Sequence, residues 1–200
     1  MKVPKSPALQ LVDLTSLSIG SFQNNQIGEG RAFLSNRVRF GSDLTGFANA
    51  RWDEKYKYLQ TKLSDLPAFC RQFRGHRVVL APWTTDWPGH GHNTNWMEVT
   101  LHWHPSMEPL LLELSELTCL SLDGTRRSLW ANDFIASSDV AQDWLNFWRF
   151  VFAYFHGRYG FKLPFLPDNL DGARQCAYFY ERVTALYFSH AMNVNIIQIP

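Results

Sequence analysis

Between residues 139 and 156 the chain sets Val140, Trp144, Leu145, Phe147, Trp148, Val151, Phe152 and Phe155 along one wide apolar stripe. Their intervals return every three or four residues, the period of an α-helix and of no strand. Five of these eight side chains are aromatic, so the helix needs a large apolar surface to lie against, and that need constrains the rest of the fold. Asp139 with Gln142 three residues on has the form of a capping box, and Gly157 or Gly160 supplies a stop. Phe150 and Tyr154 fall outside the stripe. A helix apolar on a second side is either deeply buried or covers a partner, so 139–156 is the segment through which an oligomer would form.

Leu163-Pro-Phe-Leu-Pro167 reads as a stiff connector to a second helix, from about Asp171 to Met192, with Cys176, Phe179, Tyr180, Val183 and Leu186 apolar. Upstream the signals change. Residues 76–82 read as a buried strand. Met97, Val99, Leu101 and Trp103 alternate with Glu98, Thr100, His102 and His104, the two-residue period of a half-buried strand. Pro109 to Leu122 is ambiguous in period, but Asp123-Gly124 after it suggests a tight turn, with 126–130 returning as a partner strand. Trp52, Tyr56, Leu59 and Leu63 predict a helix near 48–65. Residues 9–22 and 31–40 suggest short strands, and 194–199 an edge strand. The expected architecture is α+β, a central antiparallel β-meander with a helix near residues 48–65 and two C-terminal helices packed on the sheet. One domain covers 1–200: a loose arm over 1–8, a mainly β region over 9–130 and a helical region over 139–192.

With 200 residues, 46% of them hydrophobic and 15% aromatic, the chain can bury a real core, and global disorder is excluded. No apolar run is long enough to span a bilayer, and the first residues carry no secretory pattern. Cys70, Cys119 and Cys176 are odd in number and far apart, which points to buried thiols in a reducing compartment and to a cytoplasmic protein.

Charge is unevenly spread. Residues 1–80 hold 12 Lys/Arg against 6 Asp/Glu, and residues 81–200 hold 7 against 12. A basic half rich in guanidinium groups matches phosphate or carboxylate partners. Equally, the two halves can neutralise each other on packing, since no compact run of like charge occurs.

Five of the seven histidines and four of the eight tryptophans lie between residues 76 and 104. His90 and His92 flank Gly91; His102, His104 and Glu108 form a His-x-His-x3-Glu run. Imidazoles and a carboxylate on one strand face would suit zinc or another transition metal. The cupin barrels use a similar spacing, but Trp96 and Ser115 stand where their flanking glycines belong, and the chain is not assigned to them. The plainer reading is that His, Glu and Thr fill the polar face of a strand. Trp83, Trp87, Trp96 and Trp103, near Arg74 and Arg77, suggest stacking platforms or hot spots, although any one indole is more often core, Trp103 first because it falls on the apolar face of the expected strand. Nucleophile elbow, phosphate loop, His-Glu-x-x-His, Cys-x-x-Cys and dinucleotide fingerprint are all missing.

These features favour a non-enzymatic macromolecule-binding protein, with an accessory, regulatory or inhibitory role and no cofactor. Its expected contacts are Arg31, Arg37, Arg39, Arg71, Arg74, Arg77, Trp83, Trp87 and Trp96. A protein partner is slightly favoured over nucleic acid, and no membrane is involved. The alternatives are a metal-dependent enzyme using His90, His92, His102, His104 and Glu108, and a structural subunit of a larger assembly.

Overall fold

Val78, Val79, Leu80 and Ala81 are all buried, as expected for a β-branched and aliphatic run with no polar face, which must lie inside a sheet covered on both sides. The computed structural model describes residues 33–34, 40, 43–48, 52–85, 95–125, 127–160, 162–166 and 170–200. Within these the elements are β1 (Leu44–Phe47), α1 (Trp52–Lys55), α2 (Leu66–Cys70), β2 (Val78–Ala81), α3 (Trp96–Trp103), α4 (Glu108–Thr118), β3 (Phe134–Ser137), α5 (Ser138–Tyr159), α6 (Leu170–His190) and β4 (Asn195–Gln198). The strands form one sheet in the order β1-β3-β2-β4. β3 pairs antiparallel with β1 (Leu44 opposite Ser137) and with β2 (Val79 opposite Ala136), whereas β4 runs parallel to β2 along the edge (Val79 opposite Ile196).

The α+β class therefore holds, with the two long helices late in the chain, and β2 and β4 fall within the strands expected over 76–82 and 194–199. The sheet is mixed and not an antiparallel meander, because β4 runs parallel to β2, and the segments 97–103 and 109–122 do not join it. Met97 to Trp103 is not a strand. It is helical because Asn95 caps it: the Asn95 side-chain oxygen accepts from the amides of Met97 and Glu98, satisfying donors that a helix start leaves open. Residues 110–118 are helical too, burying Leu110, Leu111 and Leu114, a three- and four-residue spacing that outweighs the turn signal after it. Asp123-Gly124 turns no hairpin. Gly124 lies under the α3 cap, where its carbonyl accepts from the Trp96 amide and an added Cβ would sit 1.8 Å from Asn95 Oδ1. Residues 127–130 contribute only an isolated bridge, Leu129 opposite Thr84. Near 48–65 the helix is a single turn, Trp52–Lys55, yet Trp52, Tyr56, Leu59 and Leu63 are all buried. Phe33 and Leu34 are helical rather than extended. The proposed strands of 9–22 lie outside the described residues.

Two clusters flank the sheet. The larger contains Val79, Ala81, Phe134 and Ala136 with Trp144, Trp148, Phe155, Phe179 and Leu186 from α5 and α6. The smaller joins Val78, Leu80 and Ile199 to Trp52, Tyr56, Leu59, Leu63 and Leu66. No helix of the described residues is long and apolar enough to cross a membrane.

Candidate functional site

The first candidate contact region is the segment that leads into β2. Arg71, Arg74, His76 and Arg77 are all exposed, because a short 3₁₀ turn over Arg71–Phe73 and Gly75 at φ 76° swing the chain outside the core before it enters the sheet. Gly75 is suited to that left-handed backbone. Arg77 is partly engaged: its Nε lies 3.1 Å from Asp139 Oδ2 on α5. Arg74 approaches Asp43 at 3.8 Å, with both side chains well exposed, a distance at which a surface pair contributes little. Arg31, Arg37 and Arg39 lie outside the described residues.

The second place is the exit of α3. Trp96 and Thr100 face the core; Trp103, one turn beyond Thr100 on the same side and the last residue of α3, is 71% exposed. His102 stands edge-on to Trp103 with ring centroids 5.1 Å apart. His104, the C-cap, stacks on Tyr178 of α6 at 5.0 Å, and Ser106 and Gln175 are joined by a 2.9 Å hydrogen bond beside them. Tyr178 is itself 40% exposed. No spacing in the chain points to this partner, since it lies on another helix more than 70 residues away (positions 104 and 178).

The metal reading depended on a strand that placed two imidazoles on one face. On the α3 terminus His102 and His104 are occupied with different rings, and the described residues contain no group of three His, Cys, Asp or Glu able to hold an ion. Glu108 opens α4 as an exposed first-turn acid, a favourable place beside the helix N-terminus. His90, His92 and Trp87 lie outside the described residues. Among the other tryptophans, Trp96 is fully enclosed, which removes it from any contact surface. Trp83 is half-buried, parallel to Tyr58 at 6.4 Å and perpendicular to Tyr56 at 5.6 Å.

Two further groups escaped the sequence reading. Asp133, 4% exposed, accepts from Lys55 Nζ at 2.6 Å and from the Tyr56 hydroxyl. Burial first, and then the Asp133 carboxylate, raise the Tyr56 phenol far above its ordinary value, so it remains a donor. Behind it the buried Arg182 donates to the Trp130 carbonyl at 2.9 Å, pairs with Glu181 at 3.2 Å and lies 5.0 Å from the Trp130 ring centroid. Each charge has a partner, so these groups hold the fold together and offer no free nucleophile or base.

The other group lies between α4 and α5. A shallow groove of about 370 Å³ is lined by Leu112, Glu113, Leu117, Tyr154 and Arg158. Glu113 accepts from the Tyr154 and Tyr159 hydroxyls at 2.9 and 2.8 Å, and Arg158 lies 3.3 Å from the same carboxylate. Compared with protein-family models, curated proteins and solved structures, the chain matches none.

Proposed function

We propose that this chain works by binding a macromolecule, most favourably another protein, as an accessory, regulatory or inhibitory component and not as a catalyst. The observation that carries the reading is Trp103. An indole left 71% exposed at the end of a helix, with His102 beside it and the His104–Tyr178 stack next in sequence, is the kind of rigid ring that dominates interface energetics. The exposed Arg71, Arg74 and His76 supply a second, cationic contact region of the sort that sets orientation and association rate.

A photo-crosslinking amino acid placed at position 103, and at the enclosed position 96 as control, tests the reading in extracts of the native source. A partner captured only from position 103 is then purified and its affinity measured. Trp103→Ala is expected to weaken binding at least tenfold, the loss typical of a central aromatic contact. Equal capture from both positions, or unchanged affinity after truncation, defeats the reading. Nucleic acid as the partner would instead give tight low-salt binding of a labelled oligonucleotide that weakens steeply with added salt.

A further inference from the structure

We propose that two copies of this chain pair antiparallel through the outer face of α5, with Phe150 of each copy seated over Ala153 and Gly157 of the other. This surface is separate from the α3 exit and does not depend on the binding role proposed there.

The buried stripe of α5 accounts for Val140, Trp144, Trp148, Val151 and Phe155. On its opposite side Asn146, Phe150, Ala153 and Gly157 are all exposed. They recur at intervals of four, three and four, so they form one line along the helix. Phe150 is 53% exposed, and Leu112 on the neighbouring α4 is 52% exposed at the rim of the groove that Tyr154 and Arg158 share. A single exposed phenylalanine is ordinary. Here an exposed ring lies one turn from Ala153 and two turns from Gly157, positions with almost no side chain, and Gly157 is unexplained by the chain's own packing. A Cβ added at Gly157 would meet no atom within 4 Å, and the residue lies within the regular helix. Neither crowding nor backbone conformation calls for glycine there, yet glycine disfavours a helix.

A second copy satisfies the whole line. Turned antiparallel about a two-fold axis level with Val151 and Phe152, the pattern maps onto itself: Phe150 faces Ala153 and Asn146 faces Gly157, in both directions, as a closed dimer requires. Charge agrees with this orientation. Acids stand toward the start of α5, Asp139 and Asp143, while His156 and Arg158 occupy its last turn. The same axis brings exposed Asp143 of one copy level with position 160 of the other, about 3 Å along the axis from Arg158. A parallel pair would set like charges together and align the helix dipoles unfavourably.

Sedimentation velocity of the full chain from about 1 to about 300 µM, concentrations that bracket micromolar dissociation constants, tests the proposal. The wild type is expected to move from monomer toward twice 23.2 kDa. Phe150→Asp and Gly157→Leu should each raise the midpoint at least tenfold, with circular dichroism melts of the monomer showing that both variants remain folded. Asp143→Arg should weaken pairing, and Arg158→Asp added to it should restore at least part of the loss. A wild type that stays monomeric at the highest concentration overturns the proposal, as does a Phe150→Asp variant that pairs as well as wild type. Failure of the charge exchange to restore pairing overturns the antiparallel arrangement.

Discussion

On one face of the sheet Val79, Phe134 and Ala136 share a cluster with Trp144, Trp148, Phe155 and Phe188; on the other Val78 and Leu80 share one with Trp52, Tyr56 and Leu66. The first face is covered by two long helices whose rings interlock. Phe134 meets Trp144 and Phe188 edge to face at 4.7 and 5.2 Å, and the Trp144 indole donates to Thr184 on α6. The second face is covered by one helical turn, several bends and a five-residue helix. Too little regular structure exists there to satisfy its own backbone, and polar links do that work. The Trp52 indole donates to the Thr61 carbonyl, the Leu63 amide donates to Asp53, the Thr61 amide to the Pro200 carbonyl, and Asp133 holds both Lys55 and Tyr56. Apolar packing is non-directional and tolerant; polar links to irregular backbone are directional, and leaving one unmade inside a core is costly. The comparison therefore predicts different failures on the two sides.

The largest effect belongs to the helical face. Trp144→Ala is expected to lower unfolding free energy by about 3–5 kcal/mol, because the lost ring leaves a cavity among side chains from four segments. Urea denaturation followed by circular dichroism measures it. A loss below about 1 kcal/mol would mean the interlocked rings are not what secures this face.

Next is Asp133. Its replacement by asparagine leaves Lys55 without its counter-charge and weakens the Tyr56 bond, a loss of about 2–3 kcal/mol if the charged hydrogen bonds are worth what such bonds usually are. Its distribution is the sharper test. Amide exchange should quicken over residues 52–66 while α5 and α6 stay protected, since local opening follows the weaker unit. Uniform acceleration across both faces would show that the two faces open as one unit.

How much of this was legible in the sequence follows the same division. The helices over 138–159 and 170–190 could be read within a few residues, because a wide apolar stripe at one period admits one structure. The second face could be read only for burial: Trp52, Tyr56, Leu59 and Leu63 are buried as their spacing implied, but the chain between them bends where tertiary polar links replace helical ones. Met97 to Trp103 misled for a different reason. Alternation of apolar residues is shared by a strand and by a short helix that buries only Trp96 and Thr100, and the cap decided between them. Asn95 with Glu98 three residues on was the available signal. Asn95→Ala is accordingly expected to cost about 1 kcal/mol and to loosen the α3 exit, read as a shift in Trp103 side-chain resonances. Of the candidate site, Arg71, Arg74 and Arg77 are exposed; Trp103 was expected on the apolar face of a strand, and Tyr178 lies too far along the chain to be read as its neighbour, since the strand reading hid that α3 ends at position 103.

The smallest effect compares the two faces through their thiols. Burial raises Cys176, on the helical face, to about 12, and Cys70, beside the second face, to about 11, against an ordinary value of 9.0. Both are acids whose neutral form the fold favours, so the unfolded chain gives up these protons first as pH rises. Stability from the neutral thiols is fully present below pH 9 and falls as pH climbs toward 11 and then 12. For Cys176 the slope in that window is at most about 1.4 kcal/mol per pH unit. Urea midpoints between pH 8 and 10.5 should fall in the wild type and fall less steeply in Cys176→Ala, whose loss of bulk shifts the absolute value but not the slope. Alkylation by iodoacetamide at pH 8.5 should follow the order Cys119, Cys70, Cys176, the order of their exposure. Reaction of Cys176 before Cys70 would show that the helical face opens first, the reverse of what its interlocked rings require.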